Sequence, residues 1–308
     1  MVGAITGPDG GWDFSSFDAT RRRLYVSRTD GVTVVDVDKA EARTLLTAQH
    51  THAAVPVNGG AEVLVTEGAT GRTLIANAQT GAVRAAVATG RKPDGAMVDP
   101  ATGLALVFDN AGGGVALIDA KAGELVGRIA APGALESPAT DGAGRVFVNV
   151  EDLAEIVVLD VKGRQVLAQW KLAGCESPSG LAYDPKARVL VSACANQTAK
   201  VVSATDGRIL ASLSIGGRPD WAGYDARIGA VLIPTGADGQ LDVIATGHGA
   251  DARVTARIAT HVGSRSGAID PESGRTYLPS ADFVTPPTGG RPKPSPGSFK
   301  VLVLAPAA

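Results

Sequence analysis

Arg218-Pro219-Asp220-Trp221-Ala222-Gly223-Tyr224-Asp225 decides the fold, because shortened copies of it recur along the whole chain. Lys92-Pro93-Asp94-Gly95-Ala96-Met97-Val98-Asp99, Ser177-Pro178-Ser179-Gly180-Leu181-Ala182-Tyr183-Asp184 and Arg265-Ser266-Gly267-Ala268-Ile269-Asp270 share its polar start, small or apolar middle and final Asp. Weaker copies lie at 13–18, 136–141 and, with the final Asp missing, 52–57. With the last residue of each copy as landmark (18, 57, 99, 141, 184, 225, 270), successive spacings are 39, 42, 42, 43, 41 and 45 residues. A period in the low forties built from short strands belongs to a propeller, not to a helical solenoid. Seven copies predict seven blades.

The repeat runs through all 308 residues without a composition break for a linker, so one closed domain over 1–308 is expected. Gly is abundant at 39 residues and aromatics are scarce at 4%, which suits many tight turns and cores of Val, Leu, Ile and Ala. A formal net charge of −2 and a pI near 6.1 provide no global field to hold a polyanion, which argues against nucleic acid as a partner. No apolar run is long enough to span a bilayer, and no membrane partner is expected. Met1-Val2-Gly3-Ala4 leads directly into a strand-like stretch, as if an export leader had been exchanged for a start Met. A periplasmic or secreted monomer is the expectation.

Each copy opens a set of four short strands. In the first set, 13–18 is followed by 23–28, 31–37 and 42–47. The alternation in Val32-Thr33-Val34-Val35-Asp36-Val37 is imperfect, as for strands covered by blades on both sides. Most turns carry Gly, Asp or Asn, which is hairpin chemistry. The seventh set is one strand short: after 275–280, a Pro/Gly-rich loop over 286–297 leads to 299–304 as a third strand, and no fourth follows. The segment 2–6 is predicted to supply it and close the ring, which also removes an exposed edge. The loop itself reads as a surface excursion.

Leu24-Tyr25-Val26-Ser27, Val63-Leu64-Val65-Thr66 and Val146-Phe147-Val148-Asn149, each followed by a turn and an apolar strand, resemble the exported YVTN-type (YncE-like) β-propellers. The resemblance covers essentially the whole chain. It implies an all-β, seven-bladed propeller with four-stranded blades, in a family of binding proteins some of which hold single-stranded DNA.

In such a blade the innermost strand begins on the face of the disc that carries the turn between the second and third strands. Residues at the start of the inner strands therefore crowd the mouth of the central channel. Counting back five from each landmark gives Asp13, His52, Asp94, Glu136, Ser179, Asp220 and Arg265, six of them ionisable. Packing alone requires no such chemistry. Four carboxylates converging on one axis raise each other's pKa unless a cation joins them, and Arg265 offsets only one. A divalent metal ion is expected: Ca²⁺ if oxygen ligands dominate, Zn²⁺ or another transition metal if His52 takes part. The other reading of an inner-strand Asp beside Pro or Gly is a turn cap.

The turns between second and third strands add Arg28, Glu67, Asp109, Glu151 and Asn196 to the same face, as ligand contacts or as solvated loop charges. Trp12 and Trp221 flank ring positions and either wall a pocket for an apolar or cyclic ligand or pack between blades. Cys175 precedes an inner strand and Cys194 ends a second strand of the same blade. A disulfide there would fit an oxidising compartment, and two free thiols or a pair of thiolate ligands are the competing readings. Glu176, beside Cys175, would then be held near the mouth.

No nucleophile elbow, phosphate-binding Gly loop or dinucleotide fingerprint occurs in the chain. The expected function is metal-assisted hydrolysis of a small lactone, ester or phosphoester. Asp94, Glu136, Asp220 and His52 would hold the metal, whose water is the nucleophile. His52 and Asp13 would handle protons and Arg265 would stabilise oxyanion charge, with Trp12, Arg28, Glu67, Glu176 and Trp221 contacting the substrate. The alternative is a non-catalytic exported propeller that binds a small molecule, a metal or a partner on the same face. Lyase chemistry with His52 as base is a third class.

Overall fold

The computed structural model describes residues 1–285 and 292–306. Seven four-stranded antiparallel sheets follow one another around the ring, the first six each built from consecutive hairpins. Blade 1 runs through Trp12–Asp18, Arg23–Arg28, Gly31–Asp36 and Glu41–Thr47, and blades 2 to 6 repeat this plan. In blade 7 the strands are Ala268–Ile269, Thr276–Ser280 and Lys300–Leu304, and the N-terminal Gly3–Thr6 pairs antiparallel with the last of these. The chain is a seven-bladed β-propeller closed by its own N-terminal strand, as the repeat predicted. The excursion in blade 7 carries a small hairpin, Phe283–Val284 against Lys293–Pro294. Of the expected loop over 286–297, the part 286–291 lies outside the described residues. No helix among the described residues is long and apolar enough to cross a membrane.

A strand's place in its blade dictates its composition. Second strands have blades on both sides and need apolar, β-branched or aromatic residues on both faces. Leu24, Tyr25 and Val26, like Val63, Leu64 and Val65, are accordingly fully buried. Outermost strands meet solvent at the rim, and in Gln165–Lys171 exposed and half-buried residues alternate. The core is a series of apolar layers between adjacent blades. Leu24, Val26 and Val35 of blade 1 pack on Tyr277, Phe299 and Val301 near or within blade 7, so ring closure uses the same kind of contact as other junctions.

The final Asp of each copy caps the turn after its inner strand. Asp18, Asp99, Asp141, Asp184, Asp225 and Asp270 accept from the backbone N–H of Arg21, Thr102, Ala143, Lys186, Arg227 and Glu272. Aspartate suits this position because its short side chain reaches a backbone N–H two or three residues on. Blade 2 lacks the Asp, and there Val57 leads into a single 3₁₀ turn at Asn58–Gly60.

Candidate functional site

The mouth residues of blades 1 to 5 all sit in β-bulges. The ladder between inner and second strand slips between Trp12 and Ser15, Thr51 and Ala54, Pro93 and Ala96, Leu135 and Pro138, and Pro178 and Leu181. The first residue inside each slip is Asp13, His52, Asp94, Glu136 or Ser179. A bulge releases a residue from the strand's strict alternation and re-aims its side chain. It also leaves backbone groups without ladder partners, which here bond to polar side chains of second strands. Ser27 Oγ donates to His52 O at 2.7 Å, and Asn149 Nδ2 to Ser179 O at 2.9 Å. Thr66 Oγ1 accepts from Ala53 N at 2.9 Å and donates to Asp94 O at 2.8 Å. These are the last residues of the three quoted YVTN-type segments, and each staples its blade to the next.

Blades 1, 2 and 3 bring three mouth groups together. His52 Nδ1 lies 2.6 Å from Asp13 Oδ2 and 3.8 Å from Asp94 Oδ1, and the three ligand-type atoms lie within 4.8 Å of one another. The Lys92 ammonium stands 3.7 Å from Asp94 Oδ2 and donates to Asn110 Oδ1 at 2.7 Å. Asn110 Nδ2 in turn donates to Glu136 Oε1 at 2.7 Å. Further round the ring, Arg265 Nε donates to Asp220 Oδ2 at 2.7 Å and Nη2 to Trp12 O at 3.0 Å. Ser179 Oγ donates to Pro219 O at 3.0 Å. Glu136 and Asp220, expected beside His52 and Asp94 as ligands, do not join the cluster, and Asp13 takes the third place. Adjacent blades set these three side by side, whereas Asn110 of blade 3 engages Glu136 and Arg265 of blade 7 engages Asp220.

Burial raises the pKa of Asp94 to about 7 and that of Glu136 to about 10, and other ring carboxylates add to both. Asp220 is also raised by burial, against the pull of Arg265. Glu151 adds negative charge felt by Glu136 and Asp220. Burial pulls His52 down, but the Asp13 hydrogen bond and the charges of Asp94 and Asp13 outweigh it, leaving the imidazole above its ordinary value. Near neutral pH the mouth thus keeps part of its carboxylate set protonated instead of charged.

Most of the expected substrate contacts have other work. Arg28 is buried: its Nη2 donates to Pro8 O and Gly10 O, its Nε to Gly11 O, and its guanidinium lies 3.8 Å from the centre of the Phe299 ring. Burial lowers its pKa to about 10. Glu67, also buried, accepts from Gln49 N and Arg72 Nη2. Asp109 accepts from Arg91 N and Lys92 N, and Asn196 donates to Gly174 O and accepts from Glu176 N. Each latches the loop that leads into the inner strand of its own blade. Arg28 is therefore spent on backbone, and Glu67 on Gln49 N, Thr70 Oγ1 and Arg72, so neither is available to a substrate. In blade 5 the Cys175–Cys194 disulfide, with Cα atoms 5.4 Å apart, makes the same connection covalently.

Glu176 beside that bond is exposed. Trp12 is buried against Phe283 and Phe299, with ring centres 5.8 and 5.5 Å away, and packs the closure of the ring instead of walling a pocket. Trp221 is half-buried and lines, with Phe14, Met97, Pro138 and Leu181, a recess of about 140 Å³ among the inner strands. Lys92 and Asn110, which connect Asp94 to Glu136, were not among the expected site residues. Lys92 opens its own copy of the quoted repeat, which was the one available signal.

No protein-family model and no curated protein matches the sequence. Solved structures match in shape. Hydrazine synthase from Kuenenia stuttgartiensis aligns at 14% identity with a TM-score of 0.77, over 100% of this chain and 99% of that one. A chain of the mitotic checkpoint complex aligns at 11% identity with a TM-score of 0.79, over 90% of this chain and 87% of that one. At these identities the likeness is one of fold, and it supports the YVTN-type repeat as seven-bladed architecture, not as membership of that family. The chemistry has to be read from this chain's own residues.

Proposed function

We propose that the chain binds a divalent transition-metal ion at the channel mouth through Asp13, His52 and Asp94 and hydrolyses small lactones, esters or phosphoesters there. The observation that carries this reading is the approach of three ligand-type atoms, one from each of three adjacent blades, to within 4.8 Å of one another. Two carboxylates and an imidazole suit Zn²⁺ better than Ca²⁺, which asks for about six to eight oxygens. Asp13, His52 and Asp94 would hold the ion, and binding would require His52 Nδ1, now 2.6 Å from Asp13 Oδ2, to be free of its proton.

A bound ion would supply Lewis acidity and a water of lowered pKa. Glu136, held protonated near neutral pH by burial and its neighbours, supplies a proton to a leaving oxygen. Arg265 has Nε and Nη2 committed to Asp220 and Trp12 O, which leaves Nη1 for developing negative charge. The Cys175–Cys194 disulfide supports a periplasmic or secreted site of action.

The size of the recess favours a second reading. At about 140 Å³ it falls below the roughly 300–1,000 Å³ of ordinary ligand pockets, so a substrate would rest on the open face. A propeller that binds a metal, small molecule or partner without turnover would use the same residues. The test is elemental mass spectrometry and zinc calorimetry on protein purified without chelator, with 4-nitrophenyl acetate and a simple lactone as substrates, for wild type, His52→Ala and Asp94→Asn. Bound metal and metal-dependent turnover, both lost in the variants, are the expected result. Metal without turnover leaves the binding protein, and no metal with no zinc affinity overturns both metal readings.

A further inference from the structure

A second space among the inner strands lies away from the ring of charges. The inner strands end on the opposite face of the disc, and there Ser15 and Phe17 of blade 1, Trp221, Tyr224 and Asp225 of blade 6, and Ile269 of blade 7 line a cavity of about 320 Å³. That is within the range of small-molecule sites, unlike the 140 Å³ recess. Ser15 and Trp221 line both spaces. The position of Trp221 is built into the backbone: a Cβ on Gly223 would collide with its indole, and one on Gly180 with its main chain. Phe17 is held on the far side by stacking on Tyr277, with ring centres 5.5 Å apart and planes 7° from parallel.

Three of the chain's thirteen aromatic side chains meet in this one cavity, so its occupant is apolar and able to lie against flat walls. Ser15 lines both spaces, but its hydroxyl has almost no accessible surface and faces neither. Asp225 is the one charged residue of the lining, and no Lys or Arg joins it, which disfavours an anion. We propose that this cavity is a second binding site, separate from the mouth, for an uncharged, flat aromatic molecule held against Phe17, Trp221 and Tyr224.

The probe is 4-fluoroacetophenone, titrated against the whole chain and followed by ¹⁹F NMR. Saturable binding is expected, weakened roughly fivefold in Phe17→Leu, the loss of about one aromatic contact. Ala268→Leu, which fills the cavity from blade 7, should abolish it, and Ala226→Trp on the exposed rim covers the same space if the first variant does not fold. Failure of the probe to saturate, or equal affinity in a folded cavity-filling variant, overturns the proposal.

Discussion

Thr66 shows how much a single hydroxyl can organise. It is fully buried, accepts from Ala53 N in its own blade and donates to Asp94 O in the next, and so satisfies backbone on both sides of a blade junction. Valine has the same shape and at least the same strand preference, so Thr66→Val isolates the hydrogen bonds. It leaves a buried N–H and a buried carbonyl unpartnered. We expect a loss of about 2 kcal/mol in unfolding free energy, seen as a lower urea midpoint at unchanged slope. An unchanged midpoint would show that the staple carries no energy. Arg28 teaches the converse: a long cation at a loop face reads as a ligand contact, yet the carbonyls of Pro8, Gly10 and Gly11 claim it first.

At the scale of the element, the loops into the inner strands are the parts without a ladder of their own, and each described latch fixes one of them. Blade 5 has a covalent latch in addition to Asn196. The bridged cysteines are 19 residues apart, and closing a loop of that length restricts the unfolded chain by about 3 kcal/mol. The double variant Cys175→Ser/Cys194→Ser is expected to lose about that much stability in urea unfolding. Zinc affinity should not change, because the ligand cluster belongs to blades 1, 2 and 3. A loss of zinc binding alongside the stability would mean that the mouth moves as one body and not blade by blade.

The ring of charges belongs to the whole molecule, since no single blade contains it. Asp94 and Glu136 have folded-state pKa values of about 7 and about 10, above those of an unfolded carboxylate. Between the unfolded and folded values the native state holds protons that the unfolded chain has released, so stability falls as pH rises. His52, raised above its ordinary value, acts in the same direction: its contribution is present below the unfolded pKa and is lost through the folded one. Against burial, turn hydrogen bonds hold Asp141 and Asp270 below the usual carboxylate range, and their contribution is lost as pH falls. Metal-free protein is therefore expected to be most stable near about pH 5 and to lose Tm toward about pH 8, with Glu136→Gln flattening that decline. Thermal melts in chelator check this, and a Tm that rises toward about pH 8 would contradict it.

Blade number, strand order and closure were all readable from the chain, because a propeller pairs each strand with its sequence neighbour and repeats the pattern. Only the N-terminal strand pairs across the whole length, and the missing strand of the seventh repeat announced it. The positions that fall in the bulges of blades 1 to 5 were readable too, as one offset within the repeat. Tertiary structure decided which of them meet: Asp13, His52 and Asp94, one repeat apart, approach to within 4.8 Å, while Asn110 engages Glu136 and Arg265 engages Asp220. It also decided that Arg28, Glu67 and Trp12 turn inward. A side chain at a loop goes to solvent or to backbone according to which carbonyls and N–H groups nearby lack partners. That depends on bulges and loop paths in three dimensions, which no spacing along the chain encodes.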